Sequence, residues 1–293
     1  MTLYILANPN AGSHTAKSIV SSIKDNYPQF TIKEFMTAGP GDEKNQIKAI
    51  LREFSYRKDH LIIIGGDGTL SKSLTFWPAE LPFAYFPTGS GNDFAKAMNI
   101  KNLSTVIDSI LEGKRQSIYV LQSSFGTVVN SMDIGFAAQV INSSTDSALK
   151  RMLNKIKLGK LTYLFFGIKN LFSKQSINIE VILDGKSYPL DNLFFLSIAN
   201  SSYFGGGIMI WPTASTKKKE IDLVYFENGS FFQRVQSLLS MVLKKHELSP
   251  TIRHLTGLHV VLKSNEKLLL QMDGEITTAN EVSLIYQERS MYL

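Results

Sequence analysis

The sequence predicts an α/β protein in two parts: an amino-terminal unit with a parallel, Rossmann-like sheet, and a β-rich second unit of the sandwich type. Apolar strand-like runs alternate with amphipathic helical patterns up to about residue 115, as in a parallel sheet with helices on its faces. Candidate strands become dense after residue 118. Turn-forming glycine, asparagine or aspartate follows each of the first four strands, so these loops should gather at one edge of the sheet.

The elements of the first unit follow from hydrophobic spacing. Apolar residues recurring at i, i+3, i+4 and i+7 predict helices, and short apolar runs that end in turn residues predict strands. The expected strands are the apolar amino terminus within residues 1–9, which ends at the turn that begins with Asn8, and residues 30–35, 61–64 and 83–86. The expected helices lie around residues 19–23, 47–54, after 69, at 94–98 and at 103–111.

The second unit is predicted from its strand density. The expected strands are residues 117–122, 127–132, 177–183, 193–199, 221–226, 258–263, 268–272 and 282–286. Asp184-Gly185 between two of them indicates a hairpin. Helical insertions are expected at 149–172 and 231–245. We therefore predict a first domain over 1–120 and a second over 121–286, with residues 287–293 packing back on the first.

The insertion at 149–172 has two interpretations. Lysines flank its apolar face, as in an interfacial helix that meets anionic lipid. The same face could instead cover the core of the β-rich unit and leave the lysines in solvent, and the sequence alone favours this second interpretation.

Composition bounds the function classes. The chain has 293 residues, a net charge of +6 and no cysteine, which excludes disulfides and cysteine-ligated metals. The five histidines show no metal-ligand spacing. The first nine residues are too short and uncharged for a signal peptide, and no apolar run approaches the ~20 residues that span a bilayer. We therefore expect a cytoplasmic protein, at most peripheral to a membrane.

The strongest local motif is Leu-Ile-Ile-Ile-Gly-Gly-Asp-Gly-Thr-Leu at residues 61–70. A buried strand ends in three glycines and an aspartate, a turn whose N–H groups suit a phosphate. Asp67 adds a carboxylate that could face a magnesium ion or a sugar hydroxyl. The alternative is a tight strand-to-helix turn in which Asp67 only caps the helix.

A second motif lies late in the chain, where an apolar strand at 268–272 ends in Asp273-Gly274-Glu275. In isolation this is an ordinary Asp-Gly hairpin turn. Beside a phosphate-binding loop, one carboxylate could deprotonate a hydroxyl nucleophile while the other orders the site. Phosphoryl transfer depends mainly on positioning and charge stabilisation, so such a base must be correctly placed and contributes only a small part of the rate.

Together these motifs resemble those of the diacylglycerol kinase catalytic family, which includes sphingosine and ceramide kinases and bacterial lipid kinases. The ordered set is Asn8-Pro9 with Gly12, the loop at 65–70, Gly-Ser-Gly-Asn-Asp-Phe-Ala at 89–95, and the turn at 273–275. The Gly-rich segment around 205–207 with Trp211-Pro212 also looks like one that the bacterial lipid kinases carry. The resemblance covers nearly the full chain. The Gly-Gly-Asp-Gly loop alone is shared with NAD kinases, so the ordered set carries the specificity.

The resemblance implies an ATP-dependent, magnesium-using transferase that phosphorylates a hydroxyl of a membrane lipid such as diacylglycerol, in phospholipid metabolism. It implies Glu275 as general base, with Asp67 and Asp273 also in the catalytic group and Asp67 at the magnesium–phosphate end. The residues it places at the nucleotide are Asn8, Pro9, Asn10, Ala11, Gly12, Thr37, Gly65, Gly66, Asp67, Gly68, Thr69, Leu70, Ser71, Lys72, Ser90, Asn92, Asp93 and Lys96. Asn92 could instead be only a helix N-cap, with Asp93 in the first helical turn.

One departure concerns Lys217-Lys218-Lys219, where bacterial relatives usually carry an acidic stretch that helps to hold a structural magnesium. Three lysines cannot ligate that ion through their side chains. They could meet anionic headgroups, or form a solvated hairpin tip.

The expected partners are a membrane lipid and, transiently, an anionic membrane surface, with no nucleic acid because the basic excess is small. An exposed strand edge could pair into a homodimer. The alternatives to a lipid kinase are a soluble NAD kinase-like enzyme and a non-catalytic lipid or nucleotide sensor.

Overall fold

The computed structural model describes residues 1–12, 14–145, 167–172, 176–246 and 249–293. Within these residues the first unit holds a parallel sheet of four strands in the order β2-β1-β3-β4. The strands are β1 Thr2–Ala7, β2 Thr31–Met36, β3 Asp59–Gly65 and β4 Ala84–Pro87. The helices are α1 Ala16–Asn26, α2 Glu43–Leu51, α3 Asp67–Phe76, α4 Asp93–Ala97 and α5 Leu103–Glu112.

The central strand β3 forms because its apolar residues are buried on both faces. Leu61 to Ile64 are fully inaccessible to solvent, and β3 pairs in parallel with β1 on one side and with β4 on the other. In parallel strands all carboxyl ends lie at the same edge, so the turns after the four strands come together there, as the sequence predicts.

Outside the first sheet, the second unit is built on antiparallel pairs. In chain order its elements are β5 Arg115–Ser123, β6 Gly126–Val128, β7 Ser131–Gly135, α6 Phe136–Thr145, β8 Ile177–Leu183, β9 Lys186–Ala199, β10 Tyr203–Phe204, β11 Ile208–Met209, β12 Ile221–Glu227, α7 Phe231–Val242, β13 Arg253–Gly257, β14 His259–Met272 and β15 Glu275–Tyr292. Over the described ranges, nine strands form one sheet along the path β13-β12-β9-β7-β14-β15-β5-β6, with β8 pairing β14 and β9. The β10–β11 hairpin is separate from that sheet.

The predicted hairpin at Asp184-Gly185 is confirmed: Leu183 pairs with Lys186 across the turn. Other boundaries differ. The strand expected at 127–132 is two strands, because β6 pairs with β5 whereas β7 pairs with β9 and β14. The strands expected at 258–263 and 268–272 are one strand, β14, with an irregular register between Lys263 and Leu268. The sequence analysis missed β13 because this strand, paired only with β12, has no apolar run.

The two units share part of their cores. The cluster around the parallel sheet includes Ile118 and Val120 from β5 and Met291 and Tyr292 from the end of β15. The backbone of Phe83 also donates to Ser290 O and accepts from Tyr292 N, at 3.1 and 2.8 Å. The long strands β5 and β15 thus connect the parallel sheet to the antiparallel one.

Most of the helix expected at 149–172 lies outside the described residues. Of the part that is described, Leu171 packs against a cluster that includes Phe194 and Met241. Ile168 and Phe172 are exposed. At these two positions the expectation of a core-covering face is wrong. Among the described helices, none has the length and apolarity needed to span a lipid bilayer.

Candidate active site

The site begins with the turns that follow the parallel strands. The first residue after each of β1, β2 and β4 donates its backbone N–H to a neighbouring strand: Asn8 to Ile64 at 2.9 Å, Thr37 to Ala7 at 2.9 Å, and Thr88 to Gly65 at 2.8 Å. These bonds extend the sheet ladder by one residue, so the loops leave the sheet from a fixed edge.

The turn after β1 is joined to the glycine-rich loop by Asn8. Its Nδ2 donates to Thr69 Oγ1 at 2.9 Å, and its Oδ1 accepts from the N–H of Asn10 at 3.0 Å. One amide side chain therefore fixes both its own turn, through Pro9, Asn10 and Ala11, and the start of α3.

Gly12 and Gly89 allow three loops to come into direct backbone contact. A Cβ on Gly12, where φ is +44°, would lie 2.5 Å from Thr88 O and 2.7 Å from Ser90 N. A Cβ on Gly89 would lie 2.6 Å from Gly66 Cα. No side chain fits between backbones at these distances, so glycine is required for the packing.

Asp67 serves as the capping residue of a different helix from its own. Its Oδ2 accepts from Asp93 N at 2.9 Å and its Oδ1 from Phe94 N at 3.2 Å, which are the first N–H groups of α4. Burial raises the pKa of Asp67, while these backbone hydrogen bonds act in the opposite direction.

Asn92 occupies the N-cap position of α4 in a left-handed conformation, but its side chain does not cap the helix. Its Nδ2 donates instead to Gly89 O at 2.7 Å and so closes the loop at 89–92. Asn92 therefore stands at the N-cap position, as the alternative interpretation expected, but its side chain makes no capping hydrogen bond. The carboxylate of Asp67 accepts those bonds in its place.

Asp93 connects the first unit to the β10–β11 hairpin. Its buried carboxylate receives Lys96 Nζ on Oδ1 at 3.1 Å and the N–H of Gly206 on Oδ2 at 2.8 Å. The sequence analysis noted the glycines at 205–207 as part of the resemblance, but nothing in their spacing pointed to Asp93.

From the second unit, Asp273 and Glu275 come to this edge with different surroundings. Asp273 turns inward and accepts from the N–H groups of Val129, Asn130 and Ser131 at 2.7, 2.8 and 3.4 Å. Burial raises the pKa of Asp273 to about 8 even though these bonds favour the ionised form. Asp273 therefore holds the segment between β6 and β7.

Glu275 faces outward, toward the glycine-rich loop. Its Oε1 lies 2.7 Å from Lys72 Nζ on α3 and 3.9 Å from the position that a Cβ on Gly68 would take. The pair borders a cavity of about 220 Å³ between the units. The cavity is lined by residues that include Lys72, Thr75, Phe125, Met272, Glu275 and Thr277.

Not every residue proposed from the sequence presents its side chain to this edge. Leu70 is fully buried in the core of the first unit. Thr37, Thr69 and Ser71 are also buried, and Ser71 Oγ donates to Gly68 O at 3.3 Å. Ser90 and Lys96 are exposed beside the loops.

Two carboxylates at this edge, those of Asp67 and Asp93, are close enough together to meet one magnesium–phosphate group. Asp67 Oδ2 and Asp93 Oδ2 each lie 3.8 Å from the point that a Cβ on Gly91 would occupy, and Gly206 Cα lies 3.6 Å from it, so the two carboxylates approach the same side of that glycine. Magnesium is usually held by one or two carboxylates together with phosphates and water, which this pair satisfies. In the described part of the chain, no group of three or more histidine, cysteine, aspartate or glutamate residues is placed to hold a metal by itself.

Two family models together match most of the chain. Residues 2–123 match the model of the diacylglycerol kinase catalytic domain. Residues 139–287 match that of the YegS C-terminal NAD kinase beta sandwich-like domain. The second model matches half of the chain, so the chain belongs to the family with a YegS C-terminal NAD kinase beta sandwich-like domain, and its amino-terminal part matches the diacylglycerol kinase catalytic domain. Membership supports a lipid kinase, and a kinase of this family uses ATP.

Curated relatives agree with this membership. A Bacillus subtilis protein named "Putative lipid kinase YtlR" is 24% identical over 287 residues, which cover 93% of this chain and 93% of the relative. A Staphylococcus epidermidis protein that is also named a "Putative lipid kinase" is 26% identical over 260 residues, which cover 85% of this chain and 81% of the relative.

Solved structures support the fold. A protein titled "putative diacylglycerol kinase" from Bacillus anthracis superposes with a TM-score of 0.76 at 18% identity, over 99% of this chain and 94% of its own. An NAD kinase from Archaeoglobus fulgidus, solved with ATP, superposes at 0.52 with 12% identity, over 100% of this chain and 94% of its own. The two-unit α/β fold predicted from the sequence is thus confirmed.

Proposed function

We propose that this protein transfers the γ-phosphate of ATP to a hydroxyl of a membrane lipid, with diacylglycerol as the acceptor and phosphatidic acid as the product. The observation that carries the proposal is the position of Glu275. This carboxylate from the second unit lies beside Gly68 of the glycine-rich loop and Lys72 of α3, at the border of the cavity between the units.

The chemistry requires few groups. Glu275 accepts the proton of the lipid hydroxyl as its oxygen forms a bond to the γ-phosphorus, and the bond from that phosphorus to the bridging oxygen of ADP breaks. Asp67 and Asp93 would hold magnesium, which when bound neutralises phosphate charge. The backbone at Gly12, Gly66 and Gly89 positions the phosphates, and positioning supplies most of the rate.

Lys72 has a role in this scheme as the partner of Glu275. In the free protein its ammonium lies 2.7 Å from the carboxylate that must act as the base. The pair is partly exposed, so it contributes little to stability and can separate easily. Bound phosphates would attract Lys72, which would leave Glu275 free to receive the proton.

The acceptor cavity lies at the same border. Phe125, Met272 and Ile276 give it apolar walls, and Thr75, Thr127 and Thr277 give it hydroxyl groups. A glycerol-type headgroup carrying one free hydroxyl has the same combination of polar and apolar surface. We place the reaction at the inner face of the cytoplasmic membrane, where such a lipid and ATP meet.

The test is a labelled-phosphate assay with magnesium-ATP and a panel of acceptors: diacylglycerol, other hydroxyl-bearing lipids in mixed micelles, and NAD. We expect labelled phosphatidic acid. Glu275→Gln should lower kcat by about 10²–10⁴-fold, because the base is removed, with ATP affinity nearly unchanged. Glu281→Gln is the matched control, since Glu281 lies on the same strand, exposed and loosely paired with Lys263 at 3.9 Å.

The alternatives give distinct results in this assay. Label in NAD and in no lipid would identify an NAD kinase-like enzyme, in keeping with the fold that the chain shares with an NAD kinase. ATP binding without any labelled acceptor would identify a sensor. Full activity of Glu275→Gln would remove Glu275 from the mechanism.

A further inference from the structure

One face of the second unit is apolar and exposed over two neighbouring helical segments. It comprises Ile168, Phe172, Phe231, Phe232, Leu239, Val242 and Leu243, hereafter the apolar face. Phe232 is the most open of these, with 82% of its surface accessible. Exposed side chains scattered singly need no explanation, but seven exposed apolar residues on two neighbouring segments are typical of an interaction site.

The orientation of α7 produces this face. A surface helix normally turns its apolar stripe inward. Helix α7 instead buries Ser237 and Met241 and exposes Phe232 and Leu239. Leu243, directly after the helix, is also exposed and continues their stripe at spacings of seven and four residues. The buried side is satisfied, because Ser237 Oγ donates to Gln233 O and contacts Thr251 Oγ1. The helix is therefore anchored in the orientation that exposes its apolar residues.

The two helical segments are held together as one surface. The rings of Phe172 and Phe231 stack with centroids 4.8 Å apart, and Phe231 meets Phe232 edge-on at 5.9 Å. Arg234 Nη1 donates to Leu171 O at 2.8 Å. A capping box between Ser230 and Gln233 fixes the start of α7. The face is thus built on defined contacts within the described residues.

Charge distinguishes between the candidate partners for this face. Residues 167–172 and 228–246 contain four lysines and arginines and no aspartate or glutamate. Lys169, Lys244 and Lys245 are exposed at its borders. One exposed carboxylate, Glu227, lies just before this range, so the charged residues near the face are mainly cations. Apolar residues bordered mainly by cations fit the interface of an anionic bilayer, where aromatic and aliphatic side chains enter the headgroup region and lysines meet phosphates. A second copy of this chain would present the same cations and repel.

The face also has a structural link to the active site. Helix α7 packs against β11, and the turn between β10 and β11 donates Gly206 N–H to Asp93 at 2.8 Å. The β10–β11 hairpin therefore connects α7, and anything bound to α7, with the loop at 89–93.

We propose that the apolar face, with Lys169, Lys244 and Lys245, docks this protein on an anionic lipid bilayer. The choice of a bilayer is consistent with the proposed lipid acceptor, but docking itself needs neither ATP nor transfer. It can therefore be measured separately from activity.

The experiment is co-sedimentation of the full chain with vesicles of phosphatidylcholine alone or mixed with phosphatidylglycerol. Wild type should bind the mixed vesicles more tightly. Phe232→Ser combined with Leu239→Ser should weaken binding to both kinds of vesicle by tenfold or more, because each removes an exposed apolar side chain that the bilayer would bury. Lys244→Gln with Lys245→Gln should cost about fivefold per lysine on mixed vesicles only. Leu258→Ser, at an exposed leucine elsewhere, is the control and should bind as wild type.

Denaturation midpoints establish that each variant is folded. Unchanged binding of the Phe232/Leu239 variant, or an equal loss in the Leu258 control, would overturn the proposal. So would a wild-type dimer in light scattering that this variant dissociates, since the face would then join two copies. Phosphorylation of a water-soluble, short-chain diacylglycerol should be unaffected by the variant. A chain that binds vesicles yet labels no lipid would contradict the kinase and leave the docking surface standing.

Discussion

The contact between Gly89 and Gly66 allows a direct test of how the site is assembled. In Gly89→Ala the new Cβ would lie 2.6 Å from Gly66 Cα and 2.7 Å from Asn92 Oδ1, whereas ordinary contacts begin at 3.4 Å. The two loops would have to separate by about 1 Å, because the clash with Gly66 is between backbones and no rotamer change can relieve it.

The magnitude follows from that displacement. Overpacking of this kind costs about 1–3 kcal/mol, so the protein should remain folded with a lower denaturation midpoint. A misplacement of about 1 Å at a reacting group can cost about 10²-fold in rate. We therefore expect kcat/KM for ATP to fall by about two orders of magnitude, and ATP affinity in calorimetry to fall with it.

Gly39→Ala is the matched control. Gly39 lies in the loop after β2 at the same edge of the sheet, its φ is not positive, and a Cβ there would meet nothing within 4 Å. This variant should keep wild-type affinity and stability. If Gly89→Ala binds ATP and turns over as well as Gly39→Ala, close packing of the loops is not what forms the nucleotide site.

Two further predictions concern stability. Asp133 is fully buried between Ser131 and Ser197, and burial raises its pKa to about 7, so the folded state holds its proton above the unfolded pKa of about 4. The free energy of unfolding should therefore fall by about 2–4 kcal/mol as pH rises from 4 to 7. In urea titrations across this pH range, the free energy of unfolding of Asp133→Asn should change less with pH than that of the wild type. Equal pH dependence in the two proteins would contradict this prediction. Arg289 donates Nη1 to Trp77 O and Nη2 to Leu74 O at 2.6 and 2.7 Å, at the end of α3. A lysine at position 289 cannot make both bonds, so Arg289→Lys should lower the free energy of unfolding, measured with urea, by about 2–4 kcal/mol. Arg253→Lys is the control and should lower it by less than about 1 kcal/mol, because Arg253 is exposed and makes one such bond. A similar loss in both variants would contradict a structural role for the two bonds of Arg289.

The sequence was sufficient for the parallel sheet because its signals are local. Four strand-like runs, of which those at β1, β3 and β4 are largely buried and that at β2 is not, are each followed by turn residues, and these decide both the strands and the edge at which the loops meet. The same reasoning failed for β13, because that strand depends on its pairing with β12, and for the join within β14, because the polar residues 264–267 interrupt the apolar pattern of that strand. Strand propensity describes a fit to neighbours more than a property of the segment itself, so the sequence pattern at 253–257 carried no signal.

The contacts of the site residues could not be predicted either, because they depend on residues far away in the chain. The sequence identified Asp67 as a carboxylate in a phosphate-type loop, and the alternative was a cap on its own helix. In the structure it caps α4, whose first residue is 26 positions further along the chain. This role depends on the approach of Gly66 to Gly89, which cannot be read from either motif alone. The bond from Gly206 to Asp93 depends in the same way on a hairpin of the second unit.

The turn at 273–275 shows why two carboxylates with similar sequence context acquire different functions. The left-handed residue Asp273, with φ of +46°, turns its side chain back toward three N–H groups of the segment at 129–131. Those bonds fix the turn, and the fixed turn directs Glu275 to the opposite side, toward Lys72. We therefore interpret Asp273 as a positioning residue for Glu275: its side chain is bonded to the segment at 129–131, and the turn it fixes holds the general base proposed here against the glycine-rich loop.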